Sequence, residues 1–227
     1  MKVKSWSFSI RFMVLIGLLI VVAMVQLPVQ IIALKSMNNM ANLFLGIIYL
    51  LGFGLAVWFA YWAFRQVRQI PKSPMVVKDF QTILLTWLLF MVVQIGLGMI
   101  NQLFYQQTQT SNNQAIIQIL KSNHWALWLM ACSAVVFSPV LEELIFRGYL
   151  INAFFSEKTK WWGIFTSGVL FSLGHQQGFN VISFLIYASL GWLLSYTYVK
   201  TQKIQVSIGV HALNNLFAMG IMILTVH

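Results

Sequence analysis

The stretch Ser138-Pro-Val-Leu-Glu142-Glu143-Leu-Ile-Phe-Arg147 lies near the end of a long apolar run and sets two adjacent acids within it. The chain has only four carboxylate side chains, Asp79, Glu142, Glu143 and Glu157. An acid inside a membrane-spanning helix costs roughly 2.5–3.5 kcal/mol on insertion scales. Two of four placed side by side in such a run therefore imply a use. What surrounds them is decided by composition: 227 residues, 59% apolar and 8% charged, with a mean hydropathy of +0.80. A soluble domain carries about 25% charged residues. This chain cannot cover itself with polar groups, so its solvent is lipid. A β-barrel would show segments of about ten residues alternating apolar and polar, and these are absent. The fold class is all-α, a polytopic transmembrane helical bundle in the cell membrane.

Reading outward from the acids gives the spans. The first runs from about Phe12 to Leu34 behind Lys2, Lys4 and Arg11, with Pro28 as a kink. It exceeds the 7–15 residues of a signal-peptide core and lacks a small-x-small cleavage site, so it is expected to be retained. The second runs from about Asn42 to Phe64 and the third from Phe80 to Ile100. Between these two lies a basic loop with Arg65, Arg68, Lys72 and Lys78 and the prolines Pro71 and Pro74. Residues 101–124 are polar, with a short interfacial helix expected over Ala115–Leu120 and His124 at the rim. The fourth span begins near Trp125, carries the acids and continues to about Phe155. The fifth runs from Trp161 to about Gln177, the sixth from about Phe179 to Val199, and the seventh from Ile204 to about Val226. The count is about seven, with eight as the alternative.

The net charge of +10 raises nucleic acid as a partner. The basic residues form no stripe with interleaved aromatics, however; they sit between apolar runs. Seven spans with a cytoplasmic N-terminus put every basic residue except Lys35 and Lys121 inside, which is the positive-inside pattern. The charge thus reads as topology and contact with anionic membrane lipid, and no nucleic-acid partner is expected. The single cysteine, Cys132, excludes an intramolecular disulfide and is expected as a small core residue. The chain reads as one membrane-embedded domain over 1–227, with residues 125–226 as its chemical core.

Three polar sites lie within the apolar runs: Glu142, Glu143 and Arg147; His175; and His211 with Asn215. Glu143 and Arg147 are four apart and share a helix face, so they are expected to pair. Glu142 is rotated about 100° from Glu143, which leaves it free to act. A hairpin turning at Glu157–Lys160 puts Glu142 and His175 at similar depth, roughly 20 Å of helix rise from the turn. Gly174 and Gly178 flank His175 at a spacing that suits close helix approach. His211 and Asn215 share a face of the last helix. One Glu and two His support two chemistries. The Glu activates water as a general base while His and Asn stabilise an oxyanion, or Glu142, His175 and His211 ligate a divalent metal such as zinc that activates the water. No HExxH occurs, and no serine or cysteine is paired with a base.

Glu142-Glu143-Leu-Ile-Phe-Arg147 resembles the EExxxR motif of the CPBP intramembrane proteases, the family of CAAX proteases and bacteriocin-processing enzymes also called Abi. Phe171-Ser-Leu-Gly-His175 is similar to its FxxxH motif, and His211-Ala-Leu-Asn-Asn215 to its HxxxN motif. Each is weak alone; three in this order on three apolar helices are specific, and they cover about a third of the chain. The resemblance implies an intramembrane endopeptidase, or metalloendopeptidase, acting near the cytoplasmic face on a peptide or membrane-protein substrate. It implies Glu142 and His175 at the water, with His211 and Asn215 as oxyanion stabilisers or metal-site partners. Glu143 and Arg147 would support the site, and Phe171 would pack beside it. It also implies substrates such as prenylated CAAX tails or bacteriocin and pheromone precursors, or a role in self-immunity to a bacteriocin. Peptide processing or immunity is favoured, because CAAX processing needs a prenylating host. Two other readings use the same groups: a non-catalytic binding or scaffold protein that keeps the bundle, and a proton-coupled transporter, which the lack of an inverted repeat disfavours.

Overall fold

The computed structural model describes residues 6–35, 37–69, 73–178 and 180–226. Lys2, Lys4, Pro71 and Lys72, and Phe179 where the sixth span was expected to begin, lie outside them. Buried in lipid, a backbone must satisfy its own hydrogen bonds, and helices do so within one segment. The described residues accordingly fold into helices joined by short links. Helices α1 (Phe8–Val25) and α2 (Leu27–Leu34) form one broken leg, interrupted at Gln26 just ahead of Pro28. They are followed by α3 (Asn39–Val67), α4 (Val77–Tyr105) and the short α5 (Ser111–Ser122). Next come α6 (His124–Phe154), α7 (Lys160–Gly174), α8 (Val181–Thr201) and α9 (Ile204–Val226).

Six legs among the described residues are long and apolar enough to cross a membrane: α1–α2, α3, α4, α6, α8 and α9. The protein is a multi-pass integral membrane protein. The fifth expected span is the shorter α7. Its 15 residues rise about 22 Å against a hydrocarbon core of about 30 Å, because the helix stops at Gly174 and His175 begins a loop. Half of the apolar window of α6 is buried, against 6% for α4. The window of α8 is buried to the same extent, so α6 and α8 form the interior of the bundle, and α4 faces mainly lipid.

Two π-helical stretches widen α6, over Ser133–Phe137 and Leu144–Ile151. The first ends where Pro139 lacks an N–H and its ring would crowd the preceding turn, and the wider turn relieves that clash. In the second, side chains serve the loosened carbonyls. Asn152 Nδ2 donates to the carbonyls of Gly148 (2.7 Å) and Arg147 (3.2 Å), and Ser167 Oγ donates to that of Phe146 (3.2 Å).

Helices α7 and α8 cross closely. A Cβ added at Gly191 would stand 2.7 Å from the Gly168 Cα, so only glycine permits the approach. Gly174 and Gly178, expected to serve this purpose, do not: Gly174 borders open space, and Gly178 lies beyond the helix with a φ of +127°. Cys132 is exposed rather than in the core.

The ends of the helices sort by chemistry. At one end Arg11 donates to the Ala153 carbonyl, Arg68 to Tyr198 and Gln202, and Lys203 pairs with Asp79 at 2.6 Å. Of the residues expected on the cytoplasmic side, Arg11, Arg68 and Lys203 thus share one end. The opposite end is held by amides. Asn180 caps α8 through the Ser183 N–H and donates to Asn101 at 3.2 Å. There α5, expected as an interfacial helix, instead packs inward against α2, α6 and α9.

Candidate active site

Arg147 and Glu143 form the floor, both fully buried. Arg147 Nη1 donates to Glu143 Oε1 at 2.7 Å, Nη2 to the Gly191 carbonyl at 3.0 Å, and Nε to Ser195 Oγ at 3.2 Å. Ser195 Oγ in turn donates to Ser167 Oγ at 3.0 Å. The guanidinium also lies 4.7 Å from the centre of the Phe171 ring. The close α7–α8 crossing is what lets one arginine reach α6 and α8 together. A buried arginine bonded on every side cannot move, so Glu143 is fixed as well.

Glu143 Oε1 accepts a second hydrogen bond, from His211 Nδ1 at 2.9 Å. A carboxylate only accepts, so the proton resides on Nδ1 and the Nε2 lone pair points away. His175 is set by the same logic: its Nδ1 lies 2.8 Å from the Phe171 carbonyl, another pure acceptor. Both Nε2 atoms stand 3.9 Å from Glu142 Oε2. Glu142 Oε2 is itself buried with no hydrogen-bond partner, as is Glu143 Oε2. Three acceptors thus converge without a donor between them. Phe171 wedges the arrangement, with its ring 4.4 Å from that of His175, 5.6 Å from that of His211 and 5.6 Å from that of Phe146.

The spacing separates the two chemistries. A water hydrogen-bonded at about 2.8 Å to two acceptors bridges 3.9 Å at an angle near 90°. Ligands on one tetrahedral zinc, at about 2.0–2.2 Å, lie about 3.4 Å apart. Glu142, His175 and His211 are the right donors for such an ion. Among the described residues, however, no three His, Cys, Asp or Glu stand close enough to enclose one. The two Glu142–imidazole separations exceed that spacing by about half an ångström. A water fits the positions as they stand.

These groups open into a cavity of about 340 Å³ that runs toward Thr110, Asn112 and Asn113 on α5. Gln30 and Gln94 line it, and their side-chain amides carry no hydrogen bond among the described residues. Asn215 also borders the cavity, but its Nδ2 donates to the Ala134 carbonyl at 2.8 Å. The structure therefore brings Glu142, Glu143, Arg147, Phe171, His175 and His211 into one cluster and turns the Asn215 amide toward α6.

Several residues of this region were not singled out from the sequence. Tyr187 stacks on His175 with ring centres 4.7 Å apart, and its hydroxyl bonds Thr110, Asn112 and Asn113. Ser167, Gly191 and Ser195 complete the arginine's cradle. Their sequence signal is faint, being small or hydroxyl residues within apolar helices, which pack and bond between spans in many bundles.

Residues 123–217 match the family described as Type II CAAX prenyl endopeptidase Rce1-like. The chain is 28% identical over 109 residues to "Putative membrane peptidase YdiL" of Bacillus subtilis, covering 48% of this chain and 42% of that one. It is 26% identical over 175 residues to the UPF0177 protein YvdC of Lactococcus lactis, covering 77% and 65% of the two chains. It is 33% identical over 100 residues to the uncharacterized protein YyaK of Bacillus subtilis, covering 40% and 33%. In each case the match spans less than two thirds of the relative's length. No solved structure matches the chain significantly. All three motifs fall inside the matched stretch, on helices that bring them to one site, and over residues 123–217 the chain is similar to the Rce1-like type II CAAX prenyl endopeptidases.

Proposed function

We propose that the protein is an intramembrane endopeptidase in which Glu142 activates a water molecule for attack on a peptide bond. The observation that carries this reading is the buried, unpartnered Glu142 Oε2 facing two imidazole Nε2 atoms at 3.9 Å each. Acceptors brought together without a donor are costly in a low-dielectric site. A water donates to two of them and presents its oxygen to a substrate. Glu142 takes the proton as the water oxygen bonds the scissile carbonyl carbon. The same proton then passes to the amide nitrogen as the C–N bond breaks. Glu143 and Arg147 hold His211 in the tautomer that keeps its Nε2 lone pair on this water.

A divalent metal is the second route, supported by the donor types at the same point. Glu142, His175 and His211 would hold it, and it would lower the pKa of the water.

The substrate is proposed to be an uncharged, extended segment of a peptide or membrane-protein precursor. The free amides of Gln30 and Gln94 offer donors and acceptors to a backbone in the cavity. Processing of a bacteriocin or pheromone precursor, or self-immunity, is the preferred setting, and CAAX-type processing is the family's general form.

The test compares membrane and secreted peptides from cells making wild type or Glu142→Gln at matched levels. Fragments present only with wild type are expected, and they identify substrate and cleavage site together. Identical peptide profiles, with any phenotype kept by the variant, would overturn the reading in favour of a binding protein.

A further inference from the structure

Hydrogen-bond accounting along α6 gives Asn215 a role of its own. In the first π-helical stretch the Ser138 N–H reaches back five residues to the Ser133 carbonyl. The next residue is Pro139, which has no N–H. The Ala134 carbonyl could be served along α6 only by residue 138, which is committed to Ser133, or by residue 139, which has nothing to donate. Within a membrane an unpaired carbonyl is not tolerated. Its partner comes from another helix: Asn215 Nδ2, at 2.8 Å. The other end of that amide is engaged too, because Asn215 Oδ1 accepts from Asn214 Nδ2 at 3.4 Å.

One turn earlier on α9, His211 bonds Glu143. The last helix is therefore fastened to α6 at two levels, Asn215 to Ala134 and His211 to Glu143. Two fixed points on an antiparallel pair set axial register and rotation together. That register places His211 Nε2 at 3.9 Å from Glu142 Oε2.

We infer that Asn215 is a positioning residue: its amide replaces the backbone donor removed by Pro139 and so holds His211 toward Glu142, instead of supplying a hydrogen bond to the reacting oxygen. The consequence for catalysis rests on the proteolytic reading above; the consequence for stability and for His211 does not.

The experiment compares wild type, Pro139→Ala, Asn215→Ala and the double variant, each purified as the full chain in detergent. Three readouts are taken: thermal unfolding, the ¹⁵N shifts of His211, and kcat and KM on the precursor segment found by the peptide comparison. Asn215→Ala is expected to lower Tm by on the order of 5 °C, through an orphaned buried carbonyl. It should erase the Nδ1–H signature of His211 and cut kcat about tenfold or more, with KM little changed. In the Pro139→Ala background residue 139 donates again, so adding Asn215→Ala should leave Tm near that of Pro139→Ala alone, while His211, without its tether, stays unheld. If Asn215→Ala does not fold, Pro139→Ala and the double variant still decide, since the inference expects the two to be alike in Tm. A double variant that fails to fold while Pro139→Ala folds overturns it. So does a Tm that Pro139→Ala does not restore. An unchanged Tm with a kcat loss that persists in the Pro139→Ala background also overturns it, and places the amide on the reacting oxygen. If no variant, wild type included, cleaves peptide, the proteolytic reading fails while Tm and the His211 shifts still decide this one.

Discussion

Arg147→Met is the most informative single perturbation of the site. The substitution roughly keeps the volume of the side chain and removes three hydrogen bonds, to Glu143, Gly191 and Ser195. It also removes the charge beside a fully buried carboxylate. Breaking a buried ion pair from one side costs about 3–5 kcal/mol, because the remaining charge is stranded. The stacking of the guanidinium on Phe171 adds about 0.5–2 kcal/mol. At about 2–4 °C per kcal/mol for a chain of this size, Tm should fall by roughly 10 °C or more. Most of that cost is the stranded carboxylate, so Glu143→Gln placed on top should return at least about 2 kcal/mol. The amide oxygen of the introduced side chain would still accept from His211 Nδ1. Thermal unfolding followed by tryptophan fluorescence in one detergent measures all four corners of the cycle. A single variant within about 1 kcal/mol of wild type, or a double variant no better than the single, would refute the argument that Arg147 exists to hold Glu143.

Two further outcomes follow from the geometry. Dialysis against a strong chelator should leave peptide cleavage within about twofold if water alone bridges the 3.9 Å gaps; loss of activity restored only by zinc would transfer the mechanism to the metal. Gly191→Ala would push a methyl to 2.7 Å from the Gly168 Cα, forcing α7 and α8 apart; the expected cost is about 2–4 kcal/mol, read as a Tm shift, together with a drop in kcat as Arg147 loses the Gly191 carbonyl.

How much of this was legible in the sequence depends on the kind of information each feature carries. The membrane bundle follows from composition alone, since few soluble arrangements could cover so many apolar side chains. The common depth of Glu142 and His175 followed from counting residues on either side of the Glu157–Lys160 turn, because helix rise is nearly constant. The Glu143–Arg147 pair followed from a four-residue spacing. What escaped was non-local or irregular. His211 reaches Glu143 across 68 residues of chain, and no spacing rule announces that. The π-helical turns depend on how neighbouring helices answer the carbonyls around Pro139 and Asn152. Gly174 and Gly178 had the spacing of a packing motif, yet the helix ended between them and the real close approach went to Gly168 and Gly191. Ala115–Leu120 read as a short interfacial helix, but α5 turns Ile116 and Ile119 onto the cavity. Hydrophobic runs specify which segments enter the membrane; which faces meet inside it is settled by single side chains.

The sorting of charges between the two ends of the bundle has a consequence for the protein's surroundings. Asp79 is taken by Lys203, Glu157 by Lys160, and Glu143 by Arg147, while Glu142 sits in the site. The chain has therefore spent its acids and still carries a net charge of +10. At the end where Arg11 and Arg68 gather, neutralisation must come from outside the polypeptide, and the nearest anions are phospholipid headgroups. A collar of anionic lipid at that end would supply the counter-charge. Stripping it into neutral detergent exchanges attraction for self-repulsion, which added salt relieves because the Debye length falls to about 8 Å at physiological strength. Anionic lipid that came away with the protein on purification would belong to its electrostatics as much as any side chain does.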